Sequence, residues 1–238
     1  MCIPTEESLC EEVGIKYYAM VNKAFIFDMD GVLVDSERQW LQYNEESILK
    51  EFFDAATREA IGSTTGLGVR GLYDKATKLG AKVDFDELSR VYEVVAMKVY
   101  DEASLTEGAG RLAKKLEGWG FRLGLVTSSP QSWINRVVPR LTFANRLEAV
   151  ISLGERPDLK TKPEPDAYLE AMKILGASAA LSVVLEDSNL GIAAGKAAGA
   201  YVIGFSGNLV DGYEQTGADS YADTMEDVIK LVESFDRD

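Results

Sequence analysis

The stretch FIFDMDGVLVDSE, residues 25–37, decides how the rest of the chain is read. An apolar run at 24–27 stops at Asp28, and Asp30 and Gly31 follow at once. Aromatic and branched residues bounded by polar ones read as a short buried strand. A carboxylate at the end of such a strand is costly unless a cation or hydrogen-bond donors meet it. Two carboxylates there, with a glycine behind them that can turn the chain sharply, call for a partner from elsewhere.

Working outward, the chain after Gly108 alternates between two periodicities. The pattern predicts a helix at 111–119, ended by Gly118 and Gly120, and a strand at 122–126. A helix at 132–141, a strand at 149–152 and a helix at 165–175 stopped by Gly176 follow. A strand at 181–185, a small-residue helix at 191–198, a strand at 201–205 and a helix at 225–234 complete the chain. Such alternation argues for an α/β fold, a Rossmann-like parallel sheet with helices on both faces. Ligands of such sheets sit beyond the carboxyl ends of the strands. Three predicted strands end in polar groups: Asp28, then Thr127-Ser128-Ser129, then Glu186-Asp187-Ser188. Simple solvation explains one such end better than three with several carboxylates among them.

From 37 to 103 there is no second strong strand run, and the apolar spacing of Trp40, Leu41, Tyr43, Ile48, Leu49, Phe52 and Phe53 is helical. Gly66-Leu67-Gly68-Val69-Arg70-Gly71 matches GxGxxG but follows helix rather than strand, so it reads as a helix–helix connection and not a dinucleotide site.

Composition removes whole classes of function. With 0 histidines in 238 residues, Ser-His-Asp and Cys-His catalysis and imidazole metal sites are excluded. Any metal site is then built of oxygen ligands, which points to a hard cation such as Mg²⁺. A net charge of −14 lacks the basic footprint of a nucleic-acid or anionic-membrane partner. Cys2 and Cys10 fit no zinc spacing and no disulfide framework. Glu6, Glu7, Glu11 and Glu12 interrupt any leader-like apolar run, and no stretch approaches the ~20 apolar residues of a membrane span. The expectation is a soluble cytoplasmic protein, monomeric or homodimeric.

Carboxylates held together, as Asp28, Asp30, Glu186 and Asp187 would be, raise one another's pKa unless a cation neutralises them, and Mg²⁺ does so. Asp28 is then a competent nucleophile for a phosphoryl group. Asp30 can protonate the leaving oxygen and later deprotonate water. Thr127 and the N–H groups after it can bind phosphate oxygens, and Lys160 or Lys162 can supply positive charge.

DMDGVLVDSE, VTSS, KPEPDAYL and VVLEDSNLGIAAGKAAG, in that order, resemble the four motifs of the haloacid dehalogenase-like superfamily. The resemblance spans roughly 24–235 and is closest to the branch of small-metabolite phosphatases and β-phosphoglucomutase. It implies Asp28 as nucleophile and Asp30 as general acid–base. It implies Thr127, Ser128, Lys162 and Gly31 around the phosphate, with Lys162 preferred to Lys160. It implies Mg²⁺ held by Asp28, the Asp30 carbonyl and Asp187, with Glu186 a ligand or a supporting acid. The second aspartate favours phosphate chemistry over carbon–halogen cleavage. The long gap from Asp28 to Thr127 implies a helical cap domain at 36–106, hinged at 36–44 and 104–107, inserted into a catalytic core of 23–35 and 107–238. Residues 1–22 would be an N-terminal extension and 32–34 a flexible flap. Within the cap, Arg70 is a candidate for the substrate's distal group. Ser36 reads as a helix N-cap, Asp35 and Glu37 as surface acids or helix-capping groups at the cap hinge, and the small residues of GIAAGKAAG as a close helix–sheet contact.

Two departures bear on substrate. The mutase branch has a histidine where Trp40 stands and an arginine where Thr65 stands. The expected function is therefore a phosphatase of small phosphomonoesters, such as sugar phosphates or similar metabolites. A phosphosugar mutase is the alternative, and a non-catalytic binding protein the distant one. Trp40 near the pocket would suit a less polar leaving group.

Overall fold

The computed structural model describes residues 22–62, 64 and 68–235. The expected extension, with Cys2 and Cys10, lies outside these residues, as does Thr65; Asn22 already belongs to the first strand. Six parallel strands form one sheet: β1 (Asn22–Phe27), β2 (Phe121–Thr127), β3 (Leu147–Ser152), β4 (Ala177–Glu186), β5 (Tyr201–Phe205) and β6 (Ser220–Ala222). Their order is β3-β2-β1-β4-β5-β6. The chain builds outward from β1 on one side, then returns to build outward on the other. The crevice between β1 and β4 is therefore the switch point, where doubly wound sheets bind ligands.

The apolar run of β1 does not alternate with polar residues because both of its faces are covered. Phe25 and Phe27, with ring centroids 4.7 Å apart, face one helical layer. That layer includes α5 (Ala109–Gly118) and α9 (Met225–Phe235). Ala24 and Ile26 face the other layer, α7 (Asp166–Leu175) and α8 (Asn189–Ala197). In α8 a Cβ on Gly195 would stand 2.9 Å from Val202 Cγ2, so the small residues of this helix do allow a close approach to the sheet. Gly176, at φ +61°, ends α7 in the left-handed conformation that favours glycine. Between β2 and β3 lies α6 (Gln131–Val137), shorter than expected because a 3₁₀ turn at Val138–Arg140 takes over.

Apart from the isolated bridges of Val34 with Asp30 and Leu105, the secondary structure described between β1 and α5 is helical. Helix α1 (Glu37–Tyr43) runs through a π-helical stretch, Asn44–Leu49, into Lys50–Phe52. Helix α2 (Ala55–Ile61) is capped by Asp54, whose carboxylate accepts from Thr57 N–H at 2.8 Å. Gly68 is the N-cap of helix α3 (Val69–Lys78), the element before it is α2, and among the described residues no strand directly precedes the glycine motif; Gly66 and Leu67 lie outside those residues. Helix α4 (Phe85–Glu102), capped by Asp84, buries Leu88, Tyr92, Val95, Ala96 and Val99 along one stripe.

The two chain crossings between this insert and the sheet run side by side. Val34 pairs with Leu105, Asp35 N–H donates to Ser104 O at 2.9 Å, and Thr106 N–H donates to Leu33 O at 3.0 Å. The expected flap at 32–34 is instead fully buried and folded into a turn, with Leu33 and Val34 N–H both donating to Met29 O. Its apolar side chains explain this, since they belong to the core. Among the described residues no helix is long and apolar enough to cross a membrane.

Candidate active site

The register of the sheet brings the expected residues to one edge. Phe27 pairs with both Leu125 and Leu185, so Asp28 and Glu186 stand level at the carboxyl ends of their strands and Thr127 lies one residue further on. The Asp28 N–H continues the ladder by donating to Leu185 O at 3.0 Å. Lys162, from the loop before α7, reaches across. Its Nζ donates to Asp28 Oδ1 at 2.6 Å and to Glu186 Oε1, and all three side chains are at most 7% exposed. Lys160 points outward instead, 3.9 Å from Glu164.

Glu186 is fully occupied. Its Oε1 also accepts from Tyr168 OH at 2.7 Å, and its Oε2 accepts from Ser188 N–H at 3.2 Å and Ser188 Oγ at 3.0 Å. The carboxylate fits under the start of α8 because Gly191 has no Cβ; one there would lie 1.8 Å from Oε1. Gly31, at φ +69°, plays the matching part for Asp187, since a Cβ there would lie 1.9 Å from Asp187 Oδ2. A neighbouring amide, Asn208 Nδ2, ties the Gly31 carbonyl to Thr106 Oγ1, joining this turn to the second chain crossing.

Asp28, Glu186 and Asp187 each offer an oxygen within 4.8 Å of the others. Burial pushes the Asp28 carboxyl well above its usual range, with Lys162 pulling the other way and Glu186 and Asp30 adding to the rise. Burial does the same to Asp187, reinforced by Asp28 and Glu186. Burial opposes the Lys162 ammonium, but Asp28 and Glu186 more than offset it, so the amine is held protonated well above its ordinary range. Three buried carboxylates thus surround one ammonium, and the Asp187 carboxylate accepts no hydrogen bond from the described residues. An all-oxygen donor set with surplus negative charge fits a hard divalent cation.

Asp30 sits apart from this cluster, among neutral donors. Its Oδ1 accepts from Ser36 Oγ at 2.7 Å and Tyr100 OH at 2.6 Å; its Oδ2 accepts from Ser129 Oγ at 2.6 Å. Ser129 is itself fixed, its N–H donating to Thr127 Oγ1 at 3.0 Å and its carbonyl accepting from Ser152 Oγ at 2.7 Å. Ser128, by contrast, is exposed. Behind Tyr100 an aromatic group closes the site. Trp40 stacks on Tyr92 at 4.8 Å, and Trp133 lies 5.0 Å from Tyr100. Burial and Asp30 push the Tyr100 phenol well up, so it remains a donor.

Several expectations change here. Ser36 stands before α1, but its hydroxyl turns to Asp30 rather than to the helix N–H groups, because a buried carboxylate is the stronger acceptor. Glu37 is half-buried and belongs to the electrostatics of the site. Burial, with Asp30 and Asp35, raises its pKa to about 7. Arg70 stacks on the Phe85 ring at 4.0 Å, within the insert. Tyr100, Ser129 and Tyr168 were not singled out from sequence. Ser129 adjoins an expected phosphate binder, and Tyr100 follows the apolar stripe of α4, but neither signal names a partner.

Residues 25–205 match the haloacid dehalogenase-like hydrolase family. The chain belongs to that family. Among relatives of these hydrolases, hexitol phosphatase B of Escherichia coli (strain K12) is 30% identical over 182 residues, 74% of this chain and 79% of that protein. β-Phosphoglucomutase of Bacillus subtilis (strain 168) is 28% identical over 208 residues, 83% and 87% of the two chains. A solved haloacid dehalogenase-like protein from Agrobacterium tumefaciens str. C58 shares the fold at a TM-score of 0.71, covering 90% of this chain and 99% of that one at 21% identity. This member of the family is a phosphatase-type hydrolase of phosphoric monoesters.

Proposed function

We propose that the chain is a Mg²⁺-dependent phosphatase of small phosphomonoesters, such as sugar phosphates or similar metabolites, working through a phospho-Asp28 intermediate. The observation that carries this reading is the uneven occupancy of Asp28. Lys162 holds Oδ1, while Oδ2 accepts no hydrogen bond from the described residues. A buried carboxylate oxygen held in place and left unpartnered at the switch point is a nucleophile awaiting an electrophile.

Asp28 Oδ2 attacks phosphorus as the ester P–O bond breaks, and Asp30 gives the leaving oxygen its proton. Water then attacks the phospho-aspartate, Asp30 takes a proton from it, and phosphate leaves with Asp28 restored. Thr127 Oγ, whose own proton finds no acceptor among the described residues, donates to a phosphate oxygen, as does the Lys162 ammonium. Mg²⁺ held by Asp28, Asp187 and the Asp30 carbonyl would supply the remaining neutralisation of phosphoryl charge. Glu186, with every oxygen already serving Lys162, Tyr168 and Ser188, positions the lysine. Residues 36–106 act as a cap over the core of 23–35 and 107–238, excluding water and reading the substrate.

Phosphate release from a panel of phosphometabolites, with and without EDTA, tests the reading. Activity that persists in EDTA or in Asp28→Asn refutes the mechanism. A mutase is the second reading, favoured by the similarity to β-phosphoglucomutase and opposed by Trp40 filling the histidine position with a buried indole. Conversion of β-glucose 1-phosphate to glucose 6-phosphate with a bisphosphate primer, without free phosphate, would establish it.

A further inference from the structure

We propose that Tyr100 is a positioning residue for Asp30 that decides which carboxyl oxygen handles the proton; the inference rests on the phosphatase reading above. Asp30 Oδ1 is tied by two donors, Tyr100 OH at 2.6 Å and Ser36 Oγ at 2.7 Å. Among the described residues Oδ2 has a single donor, the Ser129 hydroxyl at 2.6 Å.

The Tyr100 hydroxyl is the least movable of the three. Its ring is buried, edge-on to Trp40 at 6.2 Å and tilted against Trp133 at 5.0 Å. The Trp40 indole N–H approaches the Tyr100 oxygen at 3.4 Å, which leaves the phenol's own O–H for Asp30. The backbone is bolted as well. Arg140, just after α6, donates to Tyr100 O at 2.7 Å and Ala103 O at 2.6 Å. The last turn of α4 is thus fastened to the core side of the molecule.

The consequence is a division of labour within one carboxyl group. Oδ1 stays an acceptor. Oδ2 carries the proton, passes it to the leaving oxygen as the P–O bond breaks so that a neutral alcohol departs, and recovers a proton from water in the second step. Without Tyr100 the carboxyl group rotates, and proton delivery suffers while phosphate binding does not.

Leaving groups tell positioning from mere support. p-Nitrophenolate departs without a proton, whereas an alkoxide needs one. For Tyr100→Phe, kcat/KM on alkyl phosphates should fall on the order of tenfold to a hundredfold, the value of a hydrogen bond to a charged group, with less than about a threefold loss on p-nitrophenyl phosphate and KM unchanged. Trp40→Phe, which removes the N–H behind the phenol and keeps an aromatic ring, should show a smaller loss with the same selectivity. An equal loss on both substrate types, or none, overturns the inference. If the thermal midpoint shows that Tyr100→Phe is unfolded, the selectivity of Trp40→Phe decides. A wild-type protein inactive on every phosphate overturns the proposed function and this inference with it; an active one with an unselective Tyr100→Phe overturns this inference alone.

Discussion

Asp28 and Asp30 are two residues apart on one chain and live in opposite surroundings. Asp28 is packed among charges, with a lysine on one oxygen and two further carboxylates alongside. Asp30 is packed among neutral hydroxyls backed by aromatic rings. Buried Met29 stands between them, and the turn at Gly31 then sends the chain away from the sheet edge. The difference teaches that one short motif is fitted for two chemistries by what the rest of the fold places around it. On the proposed reading, the charged setting holds the nucleophile in place and the neutral one orients the proton carrier.

The comparison can be broken most forcefully on the charged side. Lys162→Met leaves Asp28 and Glu186 buried without their cation. Phosphatase activity should vanish, and stability should drop by about 3–5 kcal/mol, the usual cost of removing one partner of a buried pair. Urea unfolding measures it, and a variant as stable as wild type would mean that the charges are better solvated than their burial suggests. On the neutral side, Asp30→Asn keeps the shape and can still bond to the hydroxyls. Turnover of alkyl phosphates should fall by about 10²- to 10⁴-fold, with stability within about 1 kcal/mol of wild type. A large loss of stability there would erase the contrast between the two aspartates.

The smallest expected effect lies at Glu37, beside the neutral side. Its carboxyl titrates near 7 in the folded chain against an ordinary 4.5. Between those pH values the folded state binds more protons than the unfolded, so this group's contribution to stability falls as pH rises. Glu37→Gln is neutral throughout. In EDTA it should match wild type near pH 4 and exceed it near pH 8 by up to roughly 3 kcal/mol. An offset that does not change with pH would place Glu37 in solvent.

What could be read from sequence divides along the same line. The sheet was legible because its strands carry local signals: an apolar run, a polar end, a glycine such as Gly176 that stops a helix. The edge strand β6 was not, because three residues ending in a single buried alanine carry no such signal. On the charged side, Asp28, Lys162 and the Glu186-Asp187 pair each stand in a motif of their own, so their meeting followed from the parallel topology. The surroundings of Asp30 were hidden because they are assembled across 70 residues to Tyr100 and 99 to Ser129. Nothing near a tyrosine on a helical stripe announces that its hydroxyl will find a carboxylate that far away. Ser36 and Glu37 were misread for a related reason: adjacency to a helix start suggested capping, whereas burial beside Asp30 governs both.

The paired crossings at Val34 and Leu105 have a consequence for how such a molecule can change. The chain departs and comes back at neighbouring points stitched by backbone hydrogen bonds. The sheet therefore sees the whole excursion between them as a closed loop with fixed ends. Lengthening a loop whose ends are already pinned adds little, about 0.6 kcal/mol for each doubling. Segments of quite different size and sequence could be spliced between these points while β1 kept its register with β2 and β4. The helical excursion is in this sense an exchangeable cassette, and the sheet edge is the socket that receives it.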